Sequence, residues 1–223
     1  MLNKLLSKLE RKYGRYAIPN LMSIILVGMV VIYCFDILIL FKPDATGTVS
    51  SLFNFDLMKI REGQVWRVFT FIFLPPDVEI LFAVFEFYFI YLFGVGLEQR
   101  WGSFKFNVYF FIGMIATAIV GLIFGEATNT YMLTSMFLAF AILYPNYEIL
   151  LFFIIPFKIK WLAWLTGAGL LFWFIIGGWI ARLYIAVSLA NLLLFFGGDC
   201  FGSIYYKLRK QYHKFRRSRI KKK

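Results

Sequence analysis

The sequence predicts an all-α membrane protein of six transmembrane helices with an interfacial first loop, and three observations lead there. Of the 223 residues 61% are hydrophobic and only 16% charged, whereas soluble domains are roughly half apolar and about a quarter charged. The apolar residues fall into six stretches separated by charged or turn-rich breaks, and one bilayer crossing takes about 20 residues. The formal charge of +12 is gathered at Lys4 to Arg15 and Lys207 to Lys223, both beside apolar stretches. Basic segments in that position are held at an anionic cytoplasmic leaflet, each cation gaining about 1 kcal/mol. Anionic lipid therefore accounts for the charge, and no nucleic acid is expected. The chain divides into a basic N-terminal segment, 1–18, a membrane domain, 19–197, and a basic C-terminal tail, 198–223.

The first span, 19–41, runs from Pro19 to Phe41 without a small-residue cleavage site, so it reads as a retained helix and not a secretory signal. The connection 42–77 is too long for a turn and too apolar for a solvated loop, with Leu52, Phe55, Met58, Trp66, Phe69 and Phe73 recurring through it. Such a segment lies in the interface as short amphipathic helices. Trp66 suits the headgroup region, and Pro75-Pro76 ends the element. The second span is 78–97. The third, 104–125, carries Gly113, Thr117, Gly121 and Gly125 on one face, where another helix can come close. The fourth, 129–144, is short, and Tyr147 to Ile155 is expected to lie along or re-enter the cytoplasmic interface. A seventh crossing there is the competing reading, but it would place the basic tail outside. The last two spans are 161–178 and 180–197. Six crossings put both tails, Arg100 with Lys105, and Lys158 with Lys160 on one side, predicting cytoplasmic termini. Cys34 and Cys200 have no metal-binding or disulfide spacing and read as buried free thiols; no cofactor or metal is expected. Compact loops without a long lumenal domain point to a bacterial plasma membrane.

Several segments in order resemble the rhomboid superfamily of intramembrane serine proteases and their inactive relatives. Gly63-Gln64-Val65-Trp66-Arg67 looks like the family's Trp-Arg motif in the first loop. Gly94-Val95-Gly96-Leu97-Glu98-Gln99-Arg100-Trp101-Gly102, continued by Phe106 and Tyr109, looks like its Gly/Glu/Gly signature between the second and third helices. Leu143-Tyr144-Pro145-Asn146 at the end of the fourth helix is also similar, so the resemblance covers roughly 60–200. Trp66, Arg67, Gly94, Glu98 and Gly102 are read as structural. Arg67 should pin the loop to the bundle by forking onto carbonyls or a carboxylate. Glu98 should accept from the backbone amides that open the third helix.

The resemblance implies a Gly-x-Ser-Gly motif near the start of the fourth helix and a histidine on the sixth, and both are missing. Serine needs a base within hydrogen-bond reach to act as a nucleophile. The one histidine, His213, lies in the tail on the predicted cytoplasmic side, whereas the family's site opens to the other side. Ala190-Asn191 looks like the family's Ala-His pair, and the Asn191 amide cannot take a proton. Thr130 falls nearest the family's serine, with Ser135 more than a turn too deep. Leu192, Leu193 and Leu194 stand where a glycine would let the fourth and sixth helices meet, so their close approach is not expected. No lysine inside a span offers a substitute base. Asn129, Thr130 and Asn191 are candidates to line a polar pocket.

A protein that keeps this architecture without its chemistry is expected to bind transmembrane segments of other membrane proteins, in quality control, trafficking or regulation, as inactive rhomboid relatives are thought to do. By the same resemblance, clients should enter between the second and fifth spans. Phe85, Glu86 and Phe89 on the second and Gly169 and Trp173 on the fifth are the candidate contacts, a bulky wall facing a yielding one. A transporter or channel subunit is the alternative, motivated by Glu86, Arg182 and Asp36 within spans.

Overall fold

A computed structural model of the chain describes residues 2–41, 47–151 and 155–196. Cys200, His213 and the predicted basic tail lie outside the described residues, and Cys34, expected to be buried, is an exposed free thiol. Five helices are long and apolar enough to cross a bilayer: α2 (Leu21–Leu40), α6 (Ile80–Trp101), α7 (Ser103–Phe124), α9 (Ile159–Ile176) and α10 (Trp179–Phe196). The chain is therefore a multi-pass, mostly helical integral membrane protein. The predicted fourth span is α8 (Thr130–Leu143), whose 14 residues reach only about 21 Å at the α-helical rise, short of a hydrocarbon core about 30 Å thick. Met132, Ser135, Met136, Ala139 and Phe140 are buried along it. An element enclosed by protein on that scale does not have to match the lipid at both ends.

Before α2, the segment read as basic forms an amphipathic helix, α1 (Leu2–Tyr13), with Leu6 buried and Glu10 paired to Lys105 of α7 at 3.5 Å. Between α2 and α6 the connection folds as predicted into short helices, α3 (Ser50–Phe53), α4 (Leu57–Arg61) and α5 (Arg67–Thr70), followed by a 3-10 turn at Phe71–Phe73. Its apolar residues divide between two surfaces. Phe55, Phe71 and Ile72 are buried against the bundle, while Leu52, Met58, Val65, Trp66 and Phe69 are exposed. Asp56 starts α4 by accepting from the Met58 and Lys59 amides at 3.0 and 3.2 Å.

One predicted boundary moves, and one competing reading drops out. Helix α6 continues four residues past its predicted end, through Glu98 to Trp101, and the break before α7 is Gly102 alone at φ +82°. A side chain there would be strained, so glycine sets the joint. The segment after α8 is a hairpin of β1 (Glu148–Leu151) and β2 (Ile155–Lys158), with Glu148 opposite Lys158, their charges 3.7 Å apart. Four-residue strands extend about 13 Å, which excludes a seventh crossing by them.

The contacts sort the helix ends into two groups. At one end Asn20 meets Glu98, Trp101 stacks near Phe196, and Lys160 N donates to Pro145 O beyond α8. At the other, Ser50 bonds Asp36, Leu57 bonds Gly125, and Tyr184 donates to the Glu126 carbonyl. The core between them is made by α2, α6, α7, α8 and the end of α10, with Met22, Leu97, Phe106, Phe110 and Phe140 among its most enclosed side chains.

Candidate functional site

Arg67 is 1% exposed. Its Nη1 donates to the carbonyls of Ser51 and Asn54 and to Asn54 Oδ1 at 2.8, 2.9 and 2.6 Å, and its Nε donates to Gln64 Oε1 at 2.8 Å. The guanidinium thus gathers the carbonyls left open at the end of α3 and fixes α5 against it, with Thr70 adding a bond to Phe53 O. Beside it, Trp66 is half exposed and makes no cap.

Glu98 is also buried, but its partners differ from those expected. Its Oε1 accepts from the Asn20 amide at 2.8 Å and from Ser103 Oγ at 2.7 Å, and it takes no backbone amide of α7. Asn20 has φ 55° and its amide opens α2; a backbone in that conformation at a helix start leaves an unpaired donor that a carboxylate suits. Glu98 therefore ties the starts of α2 and α7 to the end of α6. The glycines before it allow close packing: a Cβ on Gly94 would overlap Met22 of α2, and one on Gly96 would overlap the Phe140 ring of α8. Gly94, Gly96 and Glu98 of this signature hold helices together.

The positions read as the remnants of a catalytic pair are not brought together. Thr130 begins α8 at the surface, sharing a 2.9 Å bond with Thr128 Oγ1. Asn191 is buried deeper, donating to the Tyr109 carbonyl at 3.1 Å, and its Nδ2 would lie 2.9 Å from a Cβ on Gly113. The residues of α10 that face the start of α8 are Tyr184, stacked on Tyr131 at 5.8 Å, and Ser188, which donates to Tyr131 O at 2.5 Å. Nothing in the sequence pattern singled out these two.

Helices α8 and α10 do approach closely, contrary to expectation. Serine supplies what glycine was expected to supply: Ser135 Oγ donates to Ser188 O at 3.1 Å while Ser188 Oγ reaches back to Tyr131 O. Ser135 is fully buried and its oxygen lies 2.5 Å from Tyr109 Oη. A hydroxyl has one proton, and that of Ser135 goes to Ser188, so Tyr109 donates to Ser135. Among the described residues both partners of this oxygen are neutral, a phenol hydroxyl and a backbone carbonyl.

Asn129, Thr130 and Asn191 were expected to share a pocket. Asn129 and Thr130 line a cavity of about 1110 Å³ and Asn191 does not. Asn129 is mainly an anchor, donating to Leu74 O at 2.9 Å at the end of the first loop. The cavity lies among α2, α6, α8 and α9, reaching from Asp36 and Glu86 to Leu133, Phe137 and Thr166. Of the candidate contacts, Glu86 and Phe89 line it, whereas Phe85, Gly169 and Trp173 do not.

Helix α9 forms the loose wall. It packs on α8 and β2 through its first turns, where Ile159 is buried and Leu162 and Ala163 touch the core. Beyond Thr166, a side chain on Gly167 or Gly169 would meet nothing within 4 Å, and Trp173 is 59% exposed. These glycines therefore do not serve as a packing surface within the fold. Arg182 of α10 caps the far end of α9, donating to Ile175 O at 2.7 Å and lying over Trp179. Among the described residues, no group of three or more His, Cys, Asp or Glu side chains is placed to hold a metal ion.

No protein-family model matches the chain, and a search of curated proteins finds no match.

Proposed function

We propose that the chain is a non-catalytic, rhomboid-like membrane protein that binds transmembrane segments of other membrane proteins at the side between α6 and α9. The observation that carries this reading is the open side itself. A cavity runs between α6 and α8 to Thr166 of α9, and beyond Thr166 the side chains of Leu171, Phe172 and Trp173 are exposed, with Arg182 of α10 bonded to the Ile175 carbonyl at the far end. Lipid tails are as apolar as leucine, so exposure alone does not drive a helix to bind here. The favourable terms are packing against small residues and polar bonds, and both are on offer at Gly167, Gly169, Thr166 and Glu86.

In this reading α2, α6, α7, α8, α9 and α10 make six crossings, with α8 shielded from lipid by its neighbours. Arg15, Arg100, Lys105, Lys158 and Lys160 then share the cytoplasmic side, and Asp56, Glu62, Asp77, Glu79 and Glu126 the other. The signature residues Arg67, Gly94, Glu98 and Gly102 support a rhomboid-like frame because each secures a loop or a helix junction. Ser135 and Asn191, fixed in buried hydrogen bonds without a titrating base, support a frame that does no acyl-transfer chemistry. Of the ionisable groups that motivate a transporter, Arg182 and Asp36 have structural partners in Ile175 O and Ser50 N. That favours the binding role.

Photo-crosslinking amino acids at Phe85 and Trp173 should capture membrane proteins in cells, with one at Met114, buried on α7, and one at Val27, exposed on α2, as controls. Capture confined to Phe85 and Trp173 is expected. Equal capture at all four positions, or at none, would overturn the reading.

A further inference from the structure

We propose that the helix admitted beside α6 is one carrying a lysine or arginine, and that Glu86 selects it; this rests on the binding role above. The cavity is lined by four carboxylates, Asp36, Asp77, Glu79 and Glu86, and by no lysine, arginine or histidine among the described residues. Asp77 and Glu79 stand at the mouth, in the loop that leads into α6, and Asp36 already accepts from Ser50 N at 3.1 Å. Glu86 is the deep one. It lies six residues into α6, about 9 Å below the start of that helix at 1.5 Å per residue.

Among the described residues Glu86 makes no hydrogen bond or ion pair, and aromatic side chains of α6 and α8, Phe89, Phe93 and Phe137 among them, line the same cavity. A carboxylate at that depth carries a large desolvation cost unless it is paired. An incoming ammonium or guanidinium carries the same cost in lipid, so bringing the two together relieves both. The facing wall suits a donor-only group. Thr134 Oγ1 spends its proton on Thr130 O at 2.8 Å and so can only accept a further bond, and Thr166 of α9 lines the same cavity. Lysine has three donors and no acceptor, and arginine five. A cation borne on a helix meets this depth, whereas a lipid amine rides at the headgroup level nearer Asp77 and Glu79.

The test uses the full chain in phosphatidylglycerol nanodiscs with a photo-crosslinker at Phe89. The probes are a leucine-alanine transmembrane peptide with one lysine about 9 Å from the matching end, the same peptide with leucine there, and a third with the lysine moved to the opposite third. The first should be captured about tenfold more than the others, the scale of a strong intramembrane polar contact. Glu86→Gln should bring the first peptide down to the level of the leucine peptide and leave the leucine peptide unchanged. Comparison of the three peptides on the unaltered chain does not depend on how that variant folds. Equal capture of all three would overturn charge selection while leaving helix binding standing, and capture of none would overturn both. Loss of the lysine preference when phosphatidylethanolamine is added would assign the carboxylate to a lipid amine and also overturn the proposal.

Discussion

Arg67 holds its place through four hydrogen bonds to uncharged oxygens, with no carboxylate involved. Truncation would leave the carbonyls of Ser51 and Asn54 without donors inside an apolar loop. Arg67→Ala should therefore lower stability by about 2–5 kcal/mol, read as a lower unfolding midpoint in detergent. Arg67→Lys should recover only part of it, because one ammonium cannot reproduce the planar fork. An unchanged midpoint in Arg67→Ala would mean that the loop is anchored elsewhere. The burial of this arginine was legible in the sequence, since a cation among Leu52, Phe53 and Phe55 must find acceptors. The partners of Glu98 were not. Asn20 lies 78 residues away, and its left-handed backbone is a property of the folded chain. Asn191 and Thr130 were paired by analogy, but α10 meets the start of α8 through Tyr184 and Ser188, roughly a turn or two earlier.

Among the elements, the glycines separate into two kinds that look alike in sequence. Gly96 is covered by the Phe140 ring, and Gly169 faces open space. Gly96→Ala should cost about 1–3 kcal/mol through forced displacement of that ring. Gly169→Ala should be neutral or slightly stabilising, by up to about 1 kcal/mol, because alanine favours helix and nothing stands in its way. Thermal unfolding of the two variants in the same detergent checks the pair; a loss at Gly169 as large as that at Gly96 would show that the outer part of α9 is packed. The long apolar helices were legible because each runs 18 to 22 residues without a break. The hairpin was not, since Glu148 to Leu151 is a short apolar run whose periodicity does not distinguish a strand from a buried helix. Nor was the contact of α8 with α10, where two serines, Ser135 and Ser188, use backbone carbonyls as partners in place of a glycine groove.

For the whole molecule, counting six crossings along the sequence is what places Arg100, Lys105, Lys158 and Lys160 on one side, with Lys59 and Arg61 among the acidic residues of the other. The open side was only partly readable. Bulky residues on α6 and glycines on α9 suggested two unlike walls, but which of them reach a cavity depends on how far α9 stands from the bundle, and of the five candidate contacts Glu86 and Phe89 do. The account turns on whether a helix enters there. Packed helices sit about 8–10 Å apart, so a helix lodged between α6 and α9 must hold their axes about 16–20 Å apart. Spin labels at Phe85 and Trp173, in full-length protein lacking other cysteines and reconstituted in nanodiscs, report that separation by double electron-electron resonance. Adding the lysine-bearing peptide should shift the Phe85–Trp173 distribution to longer distances while a Val27–Phe85 pair across α2 and α6 stays unchanged. A bound peptide that leaves the Phe85–Trp173 distribution as it was, or that moves the Val27–Phe85 pair instead, would contradict entry between α6 and α9.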